Sequence, residues 1–292
     1  MKMFKVFVIA ATIISATSCI IEEGGYIHRP TQAGRLVYLN TESRIKALTT
    51  IADLTIKLDK FILADENERL NLTARYFPYN IPSLSDGAWN LQNTHFKVFP
   101  DGKSLHELGA KWRVHSDVSY YSSYSNIAPG IIEIECTGIR SWKIIPIGTV
   151  TSSHYSSESE LDIVGNTPKS VNGNSGANLN PYSFYEYTVT GEGRFTPFGY
   201  ENQYENRNKK ETLVIDYQIK TPYYIIPHNI SDSYIYIFDR LFAKSGKCEM
   251  VVTDIEKPSV FDNIIGEIIN TSMVPTLKIT FNGITEIWEL PM

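Results

Sequence analysis

The sequence predicts a mainly antiparallel β fold, a sandwich or barrel-like pair of sheets, with an N-terminal α-helical hairpin and one late helix. Three observations carry this expectation. Short segments alternate apolar and polar residues, as in Ile132-Glu133-Ile134-Glu135-Cys136, the mark of a strand with one buried face. Asn282-Gly283 sits between two such segments, and a two-residue type I′ turn needs residues that accept positive φ. Before the strands, Ala47, Leu48, Ile51, Leu54, Leu58, Phe61 and Ile62 recur at helical spacing, without Gly or Pro among them. The 18 Tyr and 13 Phe add to the β reading, because aromatic rings suit a pleated surface.

The elements follow in order. Residues 22–40 contain Gly24, Gly25, Pro30 and Gly34 and read as a tether with one short strand at 36–39. Asn40 or Thr41 can cap the first helix. Lys46, Asp53, Lys57 and Lys60 form its polar face, with Asp53 and Lys57 a favourable i,i+4 pair. Asp65 and Glu68 form a capping box for a second helix that runs to about Tyr76 and is stopped by Pro78. Two helices so closely joined make an αα-hairpin, whose apolar stripe needs the following sheet as partner.

Strands begin after Pro82. Residues 96–99 and 103–105 flank Pro100-Asp101-Gly102, a hairpin signal. Further strand segments are 111–114, 132–136, 139–147, 184–189, 212–220, 234–242, 248–254, 277–281 and 284–290. The total of about eleven exceeds the 4–6 strands of a typical sheet, hence the expectation of two sheets or a barrel. The Asn-Gly turn pairs Phe281 with Ile284 and puts Leu277, Ile279, Phe281, Ile284 and Trp288 on one face. Glu286 falls on that face too, which points to a bulge or a wet edge. Val260, Phe261, Ile264, Ile265, Ile268 and Ile269 form the late helix, capped by Ser259. Each of the four Trp is followed two residues later by an apolar residue, so each packs a sheet on its core.

The first residues supply an address. Lys2 and Lys5 precede an apolar run from Val6 to Ile14, broken only by Thr12. This run is too short for the roughly 20 residues of a membrane-spanning helix and has the layout of a cleaved secretory signal. Ala16-Thr17-Ser18-Cys19 resembles a bacterial lipobox, with Ala16 where Leu is usual. Glu22-Glu23 after Ile20-Ile21 is similar to the surface-export signal of lipoproteins of the Bacteroidota. The resemblance implies acylation of Cys19, and such a cysteine carries three chains where about two suffice for stable anchoring. It also implies an outer-membrane, lipid-anchored location facing the surface or the periplasm. The resulting organisation is 1–18 signal peptide, 19–40 lipid-anchored tether, 41–78 helical hairpin packed on the sheet, and 79–292 antiparallel β domain. A subdivision near 151–181 stays open.

Composition limits the function. Of 27 basic residues, Lys2 and Lys5 leave with the signal, so 25 stand against 32 acidic ones, a net charge of −7. A mildly acidic chain with no basic block is not expected to bind nucleic acid. The length permits one large core or two small ones. Beyond Cys19, only Cys136 and Cys248 remain. An oxidising compartment permits a disulfide between them, and their apolar segments equally suit two buried thiols.

No phosphate loop, zincin helix, nucleophile elbow or calcium loop occurs, so neither cofactor nor metal site is expected. Three weaker groupings are His95 with His106, Glu133 with Glu135 on one strand face, and Ser153-His154 near Glu158. Each reads more simply as a solvated face or loop. The polar stretches 151–181 and 199–210, with Tyr120, Tyr121 and Tyr124, read as tyrosine-bearing loops on a β scaffold. These observations lead to a binding module for a glycan or another macromolecule, with Tyr120, Tyr121, Tyr124, Tyr200 and Tyr204 as ligand-contacting residues. An assembly component of an envelope complex and a hydrolase are the alternatives. Exposed aromatics in a groove favour the first, an apolar patch the second, and converging carboxylates or histidines in a pocket the third.

Overall fold

The computed structural model describes residues 31–77, 81–91, 96–116, 130–149, 158–167, 185–195, 213–227, 241–254, 264–271 and 274–289. Among the described residues two helices come first, α1 (Gln32–Leu63) and α2 (Glu66–Tyr76). Thirteen strands follow: β1 (Pro82–Ser85), β2 (Ala88–Leu91), β3 (Phe96–Phe99), β4 (Lys111–Ser116), β5 (Gly130–Gly138), β6 (Ser141–Thr149) and β7 (Glu158–Asn166). The series continues with β8 (Glu186–Phe195), β9 (Leu213–Pro227), β10 (Leu241–Asp254), β11 (Ile264–Thr271), β12 (Val274–Phe281) and β13 (Ile284–Glu289). Each strand pairs antiparallel with the next in the chain. The fold is therefore mostly β with an N-terminal helical pair, and the strands form one open meander. Two packed sheets are not needed, because α1 supplies the second layer.

That role shows in the burial of α1. Every residue from 47 to 59 is buried, so this stretch has no wet face. A helix on a flat sheet keeps one polar side in water. Burial all round requires the sheet to curl about the helix, the direction in which strand twist carries it. The partners of α1 follow this path. A Cβ on Gly34 would touch Phe281, Ile264 and Ile279. The Tyr223 hydroxyl of β9 donates to the Tyr38 hydroxyl at 3.1 Å. The Arg44 guanidinium lies 5.9 Å from the Phe195 ring of β8. Phe61 meets Trp89 of β2 edge to face at 5.9 Å.

Several expectations are corrected. The helix starts at Gln32, and residues 36–39 are its second turn, not a strand. Val37 and Tyr38 are buried against the sheet, which holds this part helical despite its loop-like composition. Asp53 and Lys57 are an i,i+4 pair, 2.6 Å apart, but buried. Residues 103–105 are not a strand; 100–110 form one long connection from β3 to β4. It is held by the indole N–H of Trp112 to the Lys103 carbonyl and of Trp142 to the Leu105 carbonyl, both 2.8 Å.

The Ile264–Thr271 segment is strand β11, not helix. Its β-branched residues suit the sheet, where Ile264 and Ile268 point to the core. Gly266 lies between them against α1, and a Cβ there would fall 1.9 Å from the Tyr38 ring. The rest of the expected late helix, 259–263, lies outside the described residues. Cys136 and Cys248 are separate buried thiols on β5 and β10. Burial pushes both thiols up, Cys248 to about 12.

Other expectations hold. Asp65 caps α2 by accepting from the Glu68 N–H at 2.9 Å. Asn282 and Gly283 have φ of 50° and 74°, the signs a type I′ turn demands. Phe281 pairs with Ile284, and Leu277 with Trp288. Glu286 shares their face without a bulge, because it accepts from the Thr31 hydroxyl, and that hydroxyl in turn accepts from the Trp288 indole at 2.9 Å. The start of α1 is thus pinned to the last strand.

Candidate functional site

With its concave side occupied by α1, the sheet offers its convex face to solvent. There, outward residues of β6 to β10 border an open depression of about 630 Å³. Ile145 and Pro146 of β6 form one wall and Val251 of β10 the opposite one. Between them runs a row set by register: Glu160 opposes Glu192, Glu192 opposes Gln218, and Gln218 opposes Glu249. A second row joins Arg194 to Asp216 and Asp216 to Val251. Gly193, between the rows, faces inward, where a Cβ would fall 2.3 Å from the Ser159 hydroxyl oxygen and 2.8 Å from the Tyr217 ring.

The charges are ordered. Arg194 holds Asp216 through Nε to Oδ1 at 2.6 Å and Nη2 to Oδ2 at 3.2 Å, a two-point contact that fixes both planes. Gln218 Nε2 donates to Glu192 at 3.3 Å. Lys143 pairs with Glu160, whose hydrogen bond is the main cause of the raised Lys143 ammonium. Lys220 Nζ lies 3.4 Å from Glu249. Like charges directly across a ladder cost stability, so the flanking lysines offset a row that the fold itself does not require. The β8–β9 register shifts between Val189 and Glu192, a bulge of the kind that re-aims side chains beside a site. The row offers carboxylates and an amide that accept and donate to hydroxyls, plus one fixed guanidinium.

Comparison with protein-family models, with curated proteins and with solved structures finds no match.

The residues expected from sequence fall as follows. Tyr120, Tyr121, Tyr124, Tyr200 and Tyr204 lie outside the described residues, as do Cys19, His95, Ser153 and His154. The stretch with Tyr200 and Tyr204 joins Phe195 of β8 to Leu213 of β9, so it departs one residue beyond Arg194. The stretch with the other three tyrosines joins β4 to β5, and strand alternation puts it at the same end of the sheet. Glu133 and Glu135 do share the convex face, where Lys111 lies 3.4 and 2.9 Å from them. An exposed lysine between two carboxylates makes a surface ion network and not an acid–base pair. His106 is not on a strand. It sits in the 100–110 connection with Nε2 3.9 Å from Asp59, which also accepts from Ser104 at 2.7 Å. Among the described residues no group of three metal-ligating side chains converges.

The depression was missed in the sequence for a definite reason. Glu192, Arg194, Asp216 and Gln218 alternate on two strands, but residues 190–195 were not read as a strand. Moreover, the two strands are separated by a long connection that conceals their register.

Proposed function

We propose that this chain is a lipid-anchored binding protein of the outer membrane, held by Cys19, that recognises a glycan on the convex face of its sheet. The observation that carries this reading is the polar depression over β7–β10. The connection bearing Tyr200 and Tyr204 begins one residue beyond Arg194, so on this reading sugar hydroxyls meet Glu192, Arg194, Asp216 and Gln218 while tyrosine rings cover sugar faces. The interior supports the same reading by exclusion, since α1 fills the space that a ligand-carrying barrel would keep open. Partners are thus a membrane through the anchor and a glycan at the face.

A glycan array with the parent protein, a Glu192→Ala/Arg194→Ala variant and a Tyr200→Ala/Tyr204→Ala variant tests it. Glu192 and Arg194 are exposed, so each substitution in the first variant should move stability by no more than about 0.5 kcal/mol. The expected result is a defined set of glycans bound by the parent and lost in both variants. No glycan bound by the parent, or binding unaffected by the first variant, would reject the reading.

A second reading, an assembly component of an envelope complex, has its own observation: Leu63, Leu70, Leu108 and Ile139 are large apolar side chains left exposed.

A further inference from the structure

Among the described residues β13 is the last strand of the sheet and pairs with β12 alone. Phe281 and Ile284 flank a two-residue turn, so they form a hydrogen-bonded pair, and such pairs recur at every second residue of an antiparallel ladder. The backbone N–H and C=O groups of Ile284, Glu286 and Trp288 therefore face β12, and those of Thr285, Ile287 and Glu289 face the open side. Three donors and three acceptors in a row are a template for another strand. The two edges of the sheet differ. β1 has four residues and begins with Pro82, both devices that blunt an edge. β13 has six residues and no proline, with Ile284 44% and Ile287 61% exposed.

What reaches this edge follows from the path of α1. Tyr38 packs on Gly266 of β11, and Gly34 on Ile264 of β11 and Ile279 and Phe281 of β12. Thr31 bonds to Glu286 and Trp288 of β13. Towards its start the helix thus crosses one strand after another, and at Thr31 it stands over the last. A helical turn rises about 5.4 Å and strands lie about 4.8 Å apart, so the chain leading into Thr31 arrives from beyond β13. That chain is Gly24-Gly25-Tyr26-Ile27-His28-Arg29-Pro30, outside the described residues. Pro30 disfavours helix at Arg29. From Thr31 to His28 the chain can reach about 10 Å, the separation of two packed layers. Tyr26 and Ile27 are strand formers, and Arg29 is opposite in charge to the exposed Glu289.

We propose that Tyr26, Ile27 and His28 add to the open edge of β13 as a further strand, bonding to the backbone of Thr285, Ile287 and Glu289. The segment before α1 is then part of the sheet and not a free tether. On the reading of Cys19 above, residues 20–25 alone separate lipid from sheet, about 20 Å of chain, and the β13 edge is the side nearest the membrane.

Hydrogen exchange resolved to single amides, on the chain from residue 19 onward carrying Cys19→Ala, tests the proposal without lipid. Its outcome is therefore independent of acylation. The Thr285, Ile287 and Glu289 amides should exchange at least ten-fold slower than in the same chain begun at residue 29. In a strand the N–H groups of alternate residues point to the partner, so one of Ile27→Pro and His28→Pro should remove that protection. Fast exchange at all three amides in the parent chain overturns the proposal, whether or not the variants fold. So does protection unchanged by both proline variants and by the later start. Protection that rises with protein concentration and survives the prolines overturns it as well, and assigns the edge to a second copy.

Discussion

Asp53 shows how much rests on single polar side chains inside this fold. Its carboxylate is buried, yet it meets Lys57 Nζ at 2.6 Å and accepts from the Tyr187 hydroxyl at 2.7 Å. Burial, and then Asp53, pushes the Tyr187 phenol well up, so it stays a donor. Replacing Asp53 by Ala leaves the Lys57 charge in the interior, and chemical denaturation should show a loss of about 3–5 kcal/mol. Asp53→Leu/Lys57→Met removes both charges and should cost clearly less, because no uncompensated ion remains. Asp59 makes the opposite contribution. Burial raises its carboxyl, more than Ser104 and His106 lower it. A raised carboxyl binds its proton more tightly folded than unfolded, so its contribution weakens stability as pH rises from the ordinary carboxyl value through the raised one. Asp59→Asn should flatten that part of the stability–pH curve, measured by denaturation from pH 3 to 7. A slope identical to the parent's would mean that Asp59 does not titrate in the fold. Sequence spacing revealed the Asp53–Lys57 pair but put it in water, since a helical pattern assumes packing on one side only.

At the scale of elements, the last hairpin was the most legible part of the chain. Its turn chemistry is local, so Asn282-Gly283 fixed register and facing without knowledge of the rest. Gly283→Val should cost roughly 1–3 kcal/mol, because a β-branched side chain resists φ of 74°. An unchanged melting temperature would contradict this. Strand β11 was illegible for the complementary reason. Its isoleucines fit helix and strand spacing alike, and the deciding contact is between Gly266 and Tyr38, over two hundred residues away in the chain. Gly266→Ala should therefore destabilise by about 1–3 kcal/mol through overpacking, read by thermal melting, whereas a helix would gain from the same change. The row of Glu160, Glu192, Gln218 and Glu249 was hidden likewise, because register between strands joined by long connections is not a local property.

At the scale of the whole molecule, one sheet wraps one helix, and the recognition proposed above falls on the outside. Composition showed a β-rich chain, and the strand count suggested two sheets. A helix buried on every side was not foreseeable, since nothing in a one-dimensional pattern shows that a sheet will close around it. The proposed anchor is independent of this architecture: no described helix is long and apolar enough to cross a membrane. Cys19→Ala should release the chain from membranes and leave it folded, with fatty-acid labelling as the check; label that persists in the variant would contradict acylation at Cys19. The claim that joins fold to function is that the helix is sealed and the convex face is the working surface. Hydrogen exchange with mass spectrometry, with and without a glycan selected on the array, tests it most directly. The account predicts that peptides over 41–59 exchange slowest whether or not ligand is present, and that ligand protects peptides around 192–194 and 216–218. Rapid exchange in 41–59, or protection by ligand appearing there and not on β8 and β9, would contradict it.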